Sequence, residues 1–218
     1  MPETTKQLEM IHQALEAGRD QEAASLLEAV KQKISQLRPT HRAEFYLLEG
    51  QLYKNQGQWK LAHESFNQLY NAGFRRDEPY NQTQALQEIG ELYCLQGRIE
   101  ESIASYRKAL RVLNSQMTGY HSKLSCNYLG QGNCFMQAGD QDTAIMYYQL
   151  AKTYASSDKN LALEAQAFLA LAEAYGKLGK TRETLRYTRS ALTAFKKAGM
   201  GKEAQAAESQ LQALEASC

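Results

Sequence analysis

From residue 3 onward, stretches in which apolar residues return every three or four positions alternate with short polar breaks built around glycine. A return every three or four residues marks amphipathic helices that pack through one face. The breaks read Ala17-Gly18-Arg19-Asp20, Gln56-Gly57-Gln58-Trp59, Gln96-Gly97-Arg98-Ile99, Ala138-Gly139-Asp140-Gln141 and Leu178-Gly179-Lys180-Thr181. Their glycines fall at 18, 57, 97, 139 and 179, intervals of 39, 40, 42 and 40 residues. At such a point the first helix of a pair ends in the left-handed conformation, which glycine adopts without a Cβ penalty. The chain then turns into an antiparallel second helix.

The residues around these glycines repeat as well. Gly50, Gly90, Gly132 and Ala172 stand seven positions before, and Tyr53, Tyr93, Phe135 and Tyr175 stand four before. Ala23, Ala62, Ser102, Ala144 and Thr184 come five after; Leu27, Phe66, Tyr106, Tyr148 and Thr188 come nine after; Val30, Leu69, Ala109, Ala151 and Ala191 come twelve after. Small residues beside aromatic ones let two helices approach closely while rings fill the space between.

On these residues the chain, from about residue 3 to 199, resembles the tetratricopeptide repeat family. The resemblance implies an all-α fold: about five antiparallel helix pairs in a right-handed superhelix with a concave groove, as one array over 1–218. Its units of about 40 residues exceed the commonest family length of about 34, as in the subclass found in scaffold and peptide-sensing proteins. Unit one departs at Ile11, where a small residue is expected, and unit five at Thr184 and Thr188. Both are terminal units, which cap the stack.

The spacing places helix pairs at 3–17 with 20–37, 41–56 with 59–72, 80–96 with 99–115, 121–138 with 141–156, and 160–178 with 181–198. Pro39 and Pro79 precede first helices, where a missing N–H costs nothing. Asp20 and Asp140 stand where second helices begin and are candidate caps. A last segment, 202–216, sets Ala204, Ala207, Leu211 and Leu214 on one stripe and is expected to cap the fifth unit.

Composition narrows the function. Lys and Arg sum to 25 and Asp and Glu to 24 over 218 residues, a net charge of +1. That balance disfavours a nucleic-acid binder. There is no apolar run long enough for a transmembrane helix, and Met1-Pro2-Glu3-Thr4-Thr5-Lys6 lacks an export signal. A cytoplasmic protein that neither spans nor binds a membrane is the expectation. Cys126 and Cys134 lie eight residues apart on one helix, about 12 Å of rise, beyond the reach of a disulfide. Cys94 and Cys218 have no mate in sequence, so reduced thiols are expected.

Candidate chemistry is sparse. Gly130-Gln131-Gly132 begins like a dinucleotide fingerprint, but Phe135 occupies the third glycine position and no strand precedes it. It reads as helix packing. His12, His41, His63 and His121 are scattered without metal-ligand spacing. Cys134 lacks an adjacent base, and Glu44, Glu49 and Glu100-Glu101 read as solvated helix charge. Arg75-Arg76 is offset by Asp77-Glu78, and Arg182, Arg186 and Arg189 read as an outer face. The expectation is a protein without catalytic residues, metal or cofactor.

What remains is the groove that the resemblance implies, lined by first helices. Helical spacing outward from the packed Gly and Tyr positions gives Glu44, Leu47, Gln51, Lys54 and Asn55 in unit two and Gln84, Gln87, Glu88 and Glu91 in unit three. Unit four offers Cys126, Leu129, Asn133, Met136 and Gln137, and unit five Gln166, Leu169, Glu173 and Lys177. Amides donate and accept, so they match an extended peptide backbone; the leucines and Met136 suit apolar side chains. Asn133 is the leading candidate for backbone capture. The lysine-rich clamp that some family members use for a terminal carboxylate is absent at the corresponding positions. Glu44, Glu91 and Glu173 make the groove mildly acidic, so a neutral to basic peptide or helix is the expected partner.

Three functions are compatible with this reading. The first is a scaffold or adaptor that binds a protein or peptide. The second is a ligand-gated regulator that senses a short peptide and controls a separate effector protein. The third is an assembly factor that self-associates through the 202–216 stripe.

Overall fold

The structure, a computed structural model, describes residues 2–75, 78–114 and 117–216. Cys218, the Arg76-Asp77 part of the charge run and the Ser115 end of one expected helix lie outside the described residues. The chain divides into two compact units, Met1–Gln96 and Gly97–Cys218. The first holds α1 (Pro2–Glu16), α2 (Asp20–Lys31), α3 (Pro39–Asn55), α4 (Trp59–Arg75) and α5 (Pro79–Leu95). The second holds α6 (Ile99–Val112), α7 (Tyr120–Gln137), α8 (Gln141–Ser157), α9 (Leu161–Lys177), α10 (Thr181–Ala198) and α11 (Gly201–Ala216). Among the described residues there is no strand, and no helix is long and apolar enough to cross a membrane.

The glycine ruler holds at every repeat. Gly18, Gly57, Gly97, Gly139 and Gly179 all have φ between +68° and +81°. Four of these turns carry the same wrap-back bond, in which the residue after the glycine donates its N–H five residues back. Those bonds are Arg19 to Ala14 O at 2.8 Å, Gln58 to Tyr53 O at 2.8 Å, Asp140 to Phe135 O at 2.9 Å and Lys180 to Tyr175 O at 3.0 Å. Pro39 and Pro79 open α3 and α5 as expected.

Three local expectations need correction. The helix expected over 20–37 ends at Lys31, and only a short 3-10 turn at Ile34–Gln36 follows. The chain leaves the helix at Lys33, with φ of −112° and ψ of 12°, and by Leu37 and Arg38 it is extended, with ψ of 142° and 148°; the ring of Pro39 disfavours a helical Arg38. The third pair's second helix stops at Val112, where Leu113 is extended. Asp140 caps α8 by accepting from Thr143 N–H at 3.0 Å, but Asp20 lies inside α2 behind Arg19, which provides no side-chain cap. Asn160 is the cap missed in sequence; its Oδ1 accepts from Leu163 N–H at 3.1 Å.

Packing explains the small-beside-aromatic rhythm. A Cβ on Gly50 would lie 2.6 Å from Cδ1 of Phe66, which is fully buried in a cluster with Ala62, Ile89 and Leu92. In the second unit, Gly130 faces the ring of Tyr106 and Gly132 that of Tyr148. The Gly130-Gln131-Gly132 run is thus a packing device, and a ligand cradle would have needed the space the rings fill. Ile11 fills its own space in α1, buried with Leu8, Ala23 and Leu27. Ala204 and Ala207 of α11 are buried against Ala165, Ala191, Ala194 and Phe195. The terminal stripe therefore closes the end of its own unit.

Candidate peptide-binding faces of the first helices

Counting back from each turn glycine puts the candidate residues in rows. Thirteen before stand Glu44, Gln84, Cys126 and Gln166; ten before stand Leu47, Gln87, Leu129 and Leu169; six before stand Gln51, Glu91, Asn133 and Glu173. A shared offset from the same turn gives members of one row the same place on their helices. Within the first unit, α3 and α5 each carry one member of every row; within the second, α7 and α9 do so.

On the α3/α5 face the rows divide into two ends. At the N-terminal end, Glu44, Leu47 and Gln84 line one cavity of about 320 Å³, whose wall also includes Thr40, Leu69, Tyr80 and Asn81. Leu47 is half-buried and Glu44 is exposed. At the other end the structure ties the candidates to one another. Lys54 Nζ donates to Glu88 Oε2 at 2.8 Å and to Glu91 Oε2 at 2.8 Å, while Gln51 Nε2 donates to Glu88 Oε1 at 3.1 Å. The Lys54 and Glu88 side chains are only 13% and 14% exposed, so solvent screens this pair little. Burial lowers the Lys54 pKa, but the charges of Glu88 and Glu91 outweigh it and hold the amine above its ordinary range. Gln87 sits half-buried on α5. Asn55 is exposed and reaches Asp20 Oδ1 at 3.5 Å.

Glu49 requires a correction. It does not lie on the solvated side of α3: it is 8% exposed. Its carboxylate accepts from Lys31 Nζ at 2.8 Å and from Ser65 Oγ at 2.8 Å. The Glu49 hydrogen bond and charge raise the Lys31 pKa against the opposing effect of burial. A buried carboxylate with two donors holds α2, α3 and α4 together.

On the α7/α9 face, Leu129 and Met136 are half-buried over the core of α8 and α9, and Leu169 lies over that of α10 and α11. Cys126, Asn133, Gln137, Gln166, Glu173 and Lys177 are exposed around them. One end of the Asn133 amide is engaged within the unit, since its Oδ1 accepts from Tyr148 Oη at 2.9 Å. The amide NH₂ is thereby aimed by a buried tyrosine and presented as a donor. Cys134, one residue on, points inward to Ser102 Oγ at 2.9 Å.

Sequence reasoning missed Tyr80, which is 52% exposed at the first cavity, because it follows Pro79 before the repeating rows begin. It also missed the buried pair Asn127 and Gln131. Gln131 donates to Asn127 Oδ1 at 2.8 Å, and Asn127 donates to Tyr106 O at 2.9 Å. These amides stitch α6 to α7 and are unavailable to a ligand. Among the described residues no three His, Cys, Asp or Glu side chains gather as a metal site.

Residues 82–157 match the tetratricopeptide repeat family model. Within those bounds the chain carries tetratricopeptide repeats. No curated protein matches the sequence. Among solved structures, this repeat protein is similar to RapI in its apo form, with a TM-score of 0.65 and 11% identity over 98% of this chain and 71% of that one. A signal transduction ATPase with a tetratricopeptide repeat sensor from Pyrococcus horikoshii gives a TM-score of 0.71 and 19% identity over 92% of this chain, but only 31% of its own. A Rap protein complexed with Competence and Sporulation Factor gives 0.61 and 13% identity over 99% and 77%. At such identities the shared property is the fold, an all-α repeat architecture.

Proposed function

We propose that this repeat protein is a non-enzymatic scaffold or adaptor that binds a protein or peptide segment on the faces of its first helices. The observation that carries the reading is the convergence of Glu44, Leu47 and Gln84, from two successive repeats, on one cavity of about 320 Å³. Its wall combines apolar side chains with amides and one carboxylate. That is the mixture that seats a side chain while holding the backbone beside it. Glu44 has no cation in the cavity wall, which favours a segment with a basic residue near its anchor.

In the second unit, Asn133, Gln137 and Gln166 supply amides, and Leu129, Met136 and Leu169 supply apolar contact. Glu173 supplies the same sign of charge as Glu44. Gln51, Lys54, Glu88 and Glu91 set the α3/α5 geometry by bonding to one another, and Gln87 stands beside them.

The reading is tested by selecting binders to the full chain from a displayed library of random peptides, then measuring affinities by fluorescence anisotropy. Glu44→Gln with Gln84→Ala is expected to weaken selected peptides by about tenfold or more, with an unchanged helical spectrum. A set of selected peptides indifferent to that pair and to Leu129→Asp would overturn the proposal.

The fold shared with a Rap protein complexed with Competence and Sporulation Factor favours a second reading, a regulator whose shape responds to a short peptide. Small-angle scattering profiles identical with and without a tightly bound selected peptide would remove it. Self-association through the terminal stripe is disfavoured by the burial of Ala204 and Ala207 within their own unit.

A further inference from the structure

A second cavity in the first unit lies between α3 and α4, on residues outside the α3/α5 rows. Its volume is about 330 Å³, and Pro39, Arg42, Tyr46, Gln68, Ala72 and Arg75 line it. Among these described residues two are arginines and none is an acid. One guanidinium nitrogen of Arg42 donates to Ser35 O and to Leu37 O, both at 3.2 Å, which pins the head in place. Its Nε is buried and bonds to nothing. A buried donor on a permanent cation is costly to leave unpaired, and negative charge brought to this guanidinium from the cavity would offset part of that cost.

The surroundings are consistent with an anionic ligand. Glu78, three residues from Arg75, accepts from Asn81 Nδ2 at 2.7 Å through its Oε2 and is not among the residues that line the cavity. Helix α3 begins at Pro39 on the same wall, so the positive end of its dipole adds to the two guanidinium charges. Tyr46, Pro39 and Ala72 supply an apolar wall beside the charge.

We infer that this cavity binds a carboxylate or phosphate carried on a small apolar body, with Arg42 and Arg75 holding the oxyanion and Tyr46 and Pro39 flanking the carrier. The site stands apart from the proposed peptide faces, so each can fail without the other.

The test follows the arginine Nε–H resonances of the full chain by NMR while phenyl phosphate, benzoate, inorganic phosphate or benzyl alcohol is added. Phenyl phosphate and benzoate should give saturable shifts of Arg42 and Arg75 below about 10 mM, with phenyl phosphate about tenfold tighter than inorganic phosphate. Arg75→Gln, an exposed position that leaves the Arg42 bonds intact, should weaken phenyl phosphate about tenfold while the remaining spectrum is unchanged. Equal binding of benzyl alcohol, equal binding of bare phosphate, or no saturable shift at either arginine would overturn the inference. End-blocked phosphotyrosine separates the two carriers. Binding as tight as phenyl phosphate supports the site with the anion on a peptide, and much weaker binding supports it with the anion on a free small molecule.

Discussion

Replacing Gly132 with alanine is the sharpest test of the interlock between small residues and rings. In an exposed helix interior the change is favourable by about 1 kcal/mol, because alanine loses less backbone entropy than glycine. Here the new Cβ would run into Tyr148, lying 2.6 Å from Cδ1 and 3.1 Å from Cζ and closer still to Cε1. Ordinary carbon contacts lie near 3.5–4.0 Å, so the ring would have to retreat by about 1 Å. Tyr148 is 3% exposed and its hydroxyl is tied to Asn133 at 2.9 Å, so retreat disturbs both the core and the candidate face. Overpacking of this kind costs about 1–3 kcal/mol, and with a clash this deep the upper part of that range applies. The net expectation is a loss of about 2 kcal/mol, read as a lower urea midpoint at constant slope. Gly176 is the internal control: a Cβ there meets Thr184 at an ordinary 3.7 Å. Gly176→Ala should therefore stabilise by about 0.5 kcal/mol. On a Tyr148→Ala background the clash is gone and Gly132→Ala should become favourable by about 1 kcal/mol, a coupling of about 3 kcal/mol. A Gly132→Ala protein as stable as the parent would refute the argument.

Other expectations follow from single interactions. Lys54 has a raised pKa in the folded chain, so its contribution is complete below the unfolded value of about 10.4 and fades as pH climbs through the folded one. Urea midpoints above pH 10 should fall more steeply for the parent than for Lys54→Met; equal slopes would count against the Lys54–Glu88–Glu91 cluster. Glu49→Ala should cost about 2 kcal/mol, since it strands Ser65 and frees Lys31, whereas a surface acid would cost almost nothing in the same melt. Asn160→Ala should cost about 1 kcal/mol in thermal unfolding by removing the α9 cap, and amide exchange should quicken at Leu163 first. Removal of 201–216 should destabilise α9 and α10 and leave α1–α5 exchange unaltered, because Phe195 and Ala191 lose their cover.

The helix pairs were legible in sequence because one requirement recurs: a residue able to adopt positive φ must end each first helix, and few residues other than glycine satisfy it. One positive-φ turn lies outside the rule, after a second helix. Lys159 adopts φ of +53° between α8 and α9, a turn no glycine announces. The ends of α2 and α6 were misread because their apolar spacing continues past the point where the backbone changes direction. At α2 the backbone departs at Lys33, with φ of −112° and ψ of 12°, and the restriction that Pro39 imposes on Arg38 acts only at the far end of that connection.

The candidate face was legible only as a set of positions. Helical spacing told which side chains share a row, but it could not tell which of them the molecule itself uses. Glu49 and Glu44 are both acids on α3, five residues apart. Five residues are about 140° of helix, which turns one toward Lys31 and Ser65 in the interior and leaves the other at an open cavity. The same division runs along the row six residues before the glycines. Gln51 and Glu91 are taken up by Lys54 and Glu88, while Asn133 has only its oxygen fixed, by a tyrosine that itself fills the space over Gly132. Packing and recognition are therefore coupled at that point: the glycine admits the ring, the ring places the hydroxyl, and the hydroxyl sets which end of the amide faces outward. A Tyr148→Phe protein tests the last link, because it keeps the ring in place and releases the amide. It should remain within about 1 kcal/mol of the parent in stability yet lose affinity for peptides selected on the α7/α9 face. Unchanged affinity there would mean that the orientation of Asn133 contributes nothing to binding.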